Sequence, residues 1–593
     1  MQKVSAKTEY TFFKTPGGQV ELHRLSGELR ISLLYHGAYG MGEKYDALNQ
    51  KGHVVINRVE EKFCFQGEKT YCPAPFFWTD TGFGLYVDTC EVTSFRFDDS
   101  EIIVVLPYDA DVVLFAGTPE QIIREYMSLF GNAVLPPDWA FGPWISANRW
   151  NTQQQAEEQI VKLKEYDFPA SVVVLEAWSD EATFYIWNGA TYTPVSDGKA
   201  LSLQDFTFHD PWPDPKGMID RLHEAGLHLL LWQVPVYKKQ GAGELPNEQN
   251  NLDCVDAERR SLCVSNPDGS PYTIPEGHWF AGSMIPDFTN PETRNAWFAK
   301  RLYLLEMGVD GFKTDGGEFV CREELCFHDG SSGKEGINRY ARDYEESYQR
   351  FIGEGRILFS RAGFAGHHTV PLHWAGDQQS QNAELKSALR AGLSAAASGI
   401  PFWGFDLAGF AGSLPSLDLY RRATQMACFC PVMQWHSEPD GGQFKELMPG
   451  GEGNNERSPW NMAATYNAPE FVDEMRFWYH LRMKLLPYIQ KTARQCTEEG
   501  RPMIRPLVYE WPNDPNVVDC EDEFLFGADL LVAPLLEENA ESRMVYLPAG
   551  EWIDFFTHET HKGTQFIRAG GDRKLPVFIR AGCATLPIIN VNN

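Results

Sequence analysis

No apolar run in this 593-residue chain comes near the roughly twenty residues that a membrane-spanning helix needs. Positive charge is scarce as well: 52 Lys and Arg stand against 81 Asp and Glu, a net charge of −29. So acidic a composition disfavours nucleic acid and anionic membranes as partners and predicts a soluble protein. Cysteine is thin, 12 residues without clustering, so a disulfide framework is not expected. Cys428 and Cys430 fall in an apolar stretch and read as core rather than metal ligands. The segment Met1–Lys7 has neither the apolar stretch nor the cleavage site of a secretory signal, and the cytoplasm is the expected location. Histidine is scattered too. His373 and His436 stand on separate predicted strands, too few for a metal-dependent barrel hydrolase.

Apolar residues (43%) and aromatics (13%) are plentiful enough for more than one core, and the length predicts two to four domains. Residues 1–135 show period-2 alternation broken by Gly, Pro and Asp, as in Gln19–His23, Leu29–Leu33 and Glu101–Leu106, which predicts an N-terminal β-sandwich. Leu135-Pro136-Pro137 reads as a linker. Over 136–495 the pattern becomes short apolar strands alternating with amphipathic helices. The strand candidates are Phe141–Ser146, Ser171–Trp178, His228–Val234, Gly311–Asp315, Ile357–Arg361, His373–Asp377, Pro401–Asp406 and Pro431–His436. Helices are predicted over Gln153–Tyr166, Pro215–Ala225, Pro291–Met307 and Asn338–Ile352, and a longer one over Glu474–Thr492. Eight strand–helix repeats indicate an α/β fold, a (β/α)8 TIM barrel. Two excursions, at about 180–212 and 238–290, follow strands on the functional face and are expected to wall a pocket. Residues 496–593 return to β character and predict a C-terminal β-sandwich.

In such barrels the chemistry sits at the C-terminal ends of the strands. The string Gly311-Phe312-Lys313-Thr314-Asp315-Gly316-Gly317-Glu318 delivers a carboxylate to a strand end, with two glycines that let a ligand approach. Asp377 ends the sixth strand after Trp374, and Arg361, Asp406 and His436 end the fifth, seventh and eighth. Each has a simpler structural role open to it: Asp315 as a cap, Asp406 accepting backbone donors, His436 hydrogen-bonded, Arg361 in an ion pair. Two carboxylates across a pocket are what glycoside hydrolysis requires, one at the anomeric carbon and one protonating the departing oxygen. The acid must stay protonated, which an apolar neighbour such as Trp374 favours. Trp144, Trp150, Trp178, Trp187, Trp232 and Trp279 are candidate platforms for sugar rings or, equally, core.

These motifs resemble glycoside hydrolase family 31, the α-glucosidase and α-xylosidase family. The likeness lies in Lys313–Glu318, in Ser360-Arg361-Ala362-Gly363 leading to Trp374–Gln378, and in Ile400–Asp406, with support from Pro213–Asp220 and Asp287–Pro291. The resemblance implies Asp315 as nucleophile and Asp377 as general acid/base of a retaining exo-acting α-glycosidase. It implies that Lys313, Arg361 and His436 hold sugar hydroxyls, with Glu176, Trp178, Trp232, Trp374 and Asp406 completing the substrate-binding set. It implies a small carbohydrate partner and no metal or organic cofactor, and a homo-oligomer stays open.

Where α-glucosidases of this family read Asp-Ile-Asp after the second strand, this chain reads Glu176-Ala177-Trp178. The longer carboxylate suits an axial O4, a different group on O6, or a sugar lacking C6. Lys313 replaces a common Trp and is similar to α-xylosidases and sulfoquinovosidases. Met433-Gln434-Trp435-His436 loses the arginine of the usual pattern. Transglycosylation, a sulfonated sugar and a non-catalytic carbohydrate-binding protein remain as alternatives.

Overall fold

The computed structural model describes residues 1–439, 453–571 and 574–583. The described chain divides into two compact units. One comprises Met1–Thr89, Thr93–Pro143 and the chain from Ala365 onward; the other comprises Cys90–Val92 and Trp144–Phe364.

The first unit opens with two antiparallel sheets, one of five strands and one of six. Alternation places their inward residues in one core: Val20 and Leu22 from Gly18–Leu25, Leu29 and Ile31 from Glu28–Ser32, Phe95 and Phe97 from Thr93–Phe97. Outward neighbours such as Gln19, Glu21 and His23 stay exposed, the pattern of a sheet with one wet face. Near its C-terminus the same unit holds a six-stranded and a two-stranded antiparallel sheet. It also holds the helix Glu470–Glu499, which ends at Gly500 in the left-handed conformation.

Eight short parallel strands make up a single sheet: Pro143–Ala147, Val172–Leu175, His228–Gln233, Gly311–Thr314, Ile357–Ser360, Leu372–Trp374, Trp403–Gly404 and Met433–Ser437. The first seven run in sequence order and the eighth lies beside the first. An isolated parallel bridge between Asp406 and Gln434 joins the seventh to the eighth. This is the barrel expected from the repeats. Strands such as Val172–Leu175 are buried throughout, which explains their unbroken apolar runs. At the start of the fourth strand a Cβ on Gly311 would lie 2.0 Å from the Ile357 carbonyl oxygen, so close pairing with the fifth strand needs glycine there.

Local signals set the helix ends. Thr152 caps Gln153–Tyr166 by accepting from the Gln155 amide, and Ser332 forms a capping box with Glu335 ahead of Gly333–Ile352. The helix predicted over 291–307 is two, Pro291–Ala299 and Leu302–Glu306. The cause is visible: the Arg301 side chain donates to the Trp297 carbonyl (3.1 Å) and to Gln233 Oε1 (2.6 Å), drawing residue 301 out of the spiral. All twelve cysteines are free thiols, and Cys428 and Cys430 are buried as expected. No described helix is long and apolar enough to cross a membrane.

Candidate active site

Within the second unit, Asp315 is the first residue past the fourth barrel strand. Its side chain is 15% exposed, enough to meet a ligand. Its plane is fixed by two hydrogen bonds, from Trp232 Nε1 to Oδ2 (2.9 Å) and from the Gly316 amide to Oδ1 (2.9 Å), and by the charge of Arg361, whose Nε lies 3.1 Å from Oδ1. Arg361 is itself buried and grips Glu318 with Nε to Oε1 and Nη2 to Oε2, both 3.1 Å. Burial pushes the Glu318 carboxyl up, Arg361 opposes that rise, and the charge of Asp315 adds to it. Carboxylate, guanidinium and second carboxylate thus form a chain of charges that holds the Asp315 side chain in place. Glu318 stands in the motif that singled out Asp315, yet its part in clamping Arg361 was not read from the sequence.

Lys313 and Glu176, predicted to read the sugar, meet in a 2.6 Å salt bridge, 4% and 10% exposed. Lys313 lies in the fourth strand, Gly311–Thr314, and Glu176 directly follows the apolar second strand, Val172–Leu175. Burial raises the Glu176 carboxyl; Lys313 pulls it back, and Asp315 adds to the rise.

The tryptophans divide sharply. Trp144, Trp150, Trp178 and Trp187 are wholly buried, so they are core rather than stacking faces in this structure. Trp178, placed in the predicted substrate set, instead donates through Nε1 to the Trp232 carbonyl (3.1 Å) and packs 5.0 Å from the Trp187 ring. It supports Trp232 from behind. Trp279 is half-buried, lies 6.1 Å from Trp232, and carries the Arg361 guanidinium 5.5 Å over its ring. Of the six, it keeps the most open face.

Within the first unit, Asp377 lies three residues past the sixth strand and is half-buried; Trp374 and Ala375 beside it are buried. The Asp377 carbonyl accepts from Gln66 Nε2 (2.9 Å). Asp406 Oδ1 accepts from Gln434 Nε2 (2.6 Å), so the residue that ends the seventh strand is tied to the eighth. His436 Nε2 contacts Glu438 Oε1 at 2.8 Å, and both are buried. Phe410 stands 5.3 Å from the His436 ring and 6.4 Å from Phe63. Gln434, at the position where the arginine is lost, therefore serves Asp406 rather than the solvent.

Comparison with known proteins follows this geometry. A profile of the "Glycosyl hydrolases family 31 TIM-barrel domain" matches residues 133–492. Profiles of the family's C-terminal domain and its N-terminal galactose mutarotase-like domain match 500–584 and 32–95. An isomaltosyltransferase of Sporosarcina globispora is 36% identical over 93% of this chain and 51% of its own length. A 1,3-alpha-isomaltosidase of Kribbella flavida is 36% identical over 91% of this chain and 75% of its own. A cycloalternan-degrading enzyme from Trueperella pyogenes, solved in complex with a covalent intermediate, is similar with a TM-score of 0.87 and 33% identity. That likeness covers 97% of this chain and 80% of the other. The chain spans about half the length of the transferase it matches.

Proposed function

Because the chain belongs to glycoside hydrolase family 31, we propose that it is a retaining α-glycosidase that cleaves an α-linked isomaltosyl unit from a glucan or oligosaccharide. The observation that carries this reading is the fixed Asp315 carboxylate, held by Trp232, Gly316 and Arg361 and still open to a ligand. A carboxylate so oriented attacks C1 of the sugar, while Asp377 gives its proton to the departing oxygen. Water then enters with Asp377 as base, cleaving the glycosyl–Asp315 ester and restoring the anomeric configuration. No cofactor takes part in these steps.

The substrate class is drawn from two sides. The relatives at 36% identity are named for isomaltosyl units. In such a unit the sugar at the cleavage point carries a second glucose on O6. The Glu176–Lys313 pair suits that substituent better than a lone Asp would, since the carboxylate is already committed to an ammonium and does not demand a free 6-hydroxyl. A sulfonated sugar is not favoured, since the first barrel loop offers no basic cluster beyond Arg149. Transfer to a second sugar is the alternative, favoured by the likeness to a transferase. It differs only in which hydroxyl attacks the ester.

Chromatography of products from isomaltosyl-capped oligosaccharides separates the two: free isomaltose marks hydrolysis, longer or cyclic products mark transfer. Asp315→Ala is expected to lower kcat at least about a thousandfold. Azide should restore part of the turnover as a glycosyl azide of inverted configuration. Near-normal rates in Asp315→Ala would overturn the assignment.

A further inference from the structure

Glu43 follows the strand Ala38–Gly42 of the N-terminal sheets and is 1% exposed, a buried acid with no part in the chemistry above. Its Oε1 accepts from Trp403 Nε1 (2.7 Å), and its Oε2 lies 2.8 Å from the Tyr45 hydroxyl. That same hydroxyl lies 2.8 Å from the carbonyl oxygen of Ala375, two residues before Asp377. A phenol has one proton and cannot donate to two acceptors. The carbonyl can only accept, so the Tyr45 proton goes to Ala375, and the short contact to Glu43 needs a proton on the carboxyl.

We infer that Glu43 is a neutral carboxylic acid on the acid side of neutrality and there heads a directed chain, Glu43 O–H to Tyr45 O–H to the Ala375 carbonyl, that positions the loop bearing Asp377. The role of that loop rests on the function proposed above; the protonation of Glu43 does not. Burial pushes the Glu43 carboxyl up to about 7, with Trp403, Tyr45 and His373 opposing the rise. The titratable groups facing this chain are His373 on the sixth strand and Tyr71 and Cys72 beside Tyr45.

The rest of the loop is held from the same side. Gln378 Nε2 also donates to the Ala375 carbonyl (2.5 Å), filling its second lone pair. Gln66 bonds the Asp377 carbonyl (2.9 Å) and the Tyr71 hydroxyl (3.2 Å). Gly376 sits at φ +69°, where a Cβ would meet the Tyr71 ring at 2.4 Å. Backbone on both sides of the proposed acid is therefore fixed by residues 43–71. A carboxylate at Glu43 would claim the Tyr45 proton and release one of those anchors. Glu43 and Tyr45 are positioning residues, acting through the backbone.

The test pairs two readouts on the full chain. Glu43→Gln keeps the donor and acceptor of the neutral acid but cannot ionise. The urea midpoint of the wild type relative to Glu43→Gln is expected to fall between the ordinary carboxyl range and about pH 7. The sign follows from linkage: a raised folded pKa stabilises at low pH and is lost as pH rises through the folded value. A flat difference from pH 5 to 8 would overturn the neutral acid, whether or not any substrate turns over. On an active substrate, Tyr45→Phe should lower kcat about tenfold with little change in KM. Wild-type kcat is expected to fall as pH rises through about 7, and that fall should move to higher pH in Glu43→Gln. An unaltered kcat in Tyr45→Phe, or an unmoved limb in Glu43→Gln, would overturn the positioning role.

Discussion

Lys313 and Glu176 put two opposite charges where water scarcely reaches, and that choice has a cost that a hydrophobic pair would avoid. Removing one partner leaves the other charged and buried. Lys313→Met is therefore expected to destabilise the fold by about 3–5 kcal/mol, read as a lowered urea midpoint. With its ammonium gone, Glu176 would rise further, since burial already raises it and Lys313 is what opposes that rise. The double substitution Lys313→Met/Glu176→Gln should lose clearly less than the sum of the single losses, because it leaves no orphan charge. Strict additivity in that cycle would show that the two residues do not act as a pair. The same logic explains why Glu318 accompanies Arg361: a buried guanidinium facing Asp315 alone would keep unmet donors. Lys313, Asp315 and Glu318 were all legible in one motif of the sequence. The partner that each takes was not, because ion pairs join residues up to 137 positions apart.

At the scale of elements, most of the barrel could be read directly. Each of the eight predicted strands overlaps an observed one, and the observed strands are shorter. Thr152, Asp214 and Ser332 open three of the helices, each accepting from a first-turn amide, and the helix predicted from Asn338 begins at Gly333. The prediction at this scale concerns Ser332, whose capping box opens the twenty-residue helix after the Asp315 loop. Ser332→Ala should cost about 1 kcal/mol in denaturant unfolding and leave the substrate preference unchanged. A neutral effect would show that the helix is held by packing alone. What pattern reading could not see was the break at Arg301. Periodicity continues across 300–301, while a side chain from the helix competes for the carbonyl that the next turn needs. The stacking tryptophans failed for a related reason. Composition supplies aromatic rings, but burial decides which ring faces a ligand, and four of the six lie in the core.

At the scale of the molecule, the N-terminal β domain does more than precede a barrel. Gln66 reaches a backbone atom 311 residues away, and Tyr45 one 330 away, both in the stretch that bears Asp377. Nothing in local sequence marks such contacts, since Gln66 and Tyr45 look like ordinary residues of a loop between strands. The proposed acid, Asp377, and the proposed nucleophile, Asp315, by contrast, were marked by strand-end position and motif together. The family matches now cover the N-terminal, barrel and C-terminal regions. The claim that organises all three is that Asp315 becomes covalently glycosylated. The most direct measurement is peptide mapping by mass spectrometry after incubation with a slow-turnover fluorinated α-glucosyl or α-isomaltosyl donor. One sugar equivalent, esterified to the peptide that contains Asp315 and absent in Asp315→Ala, is the predicted result; a label on another carboxylate would contradict the account.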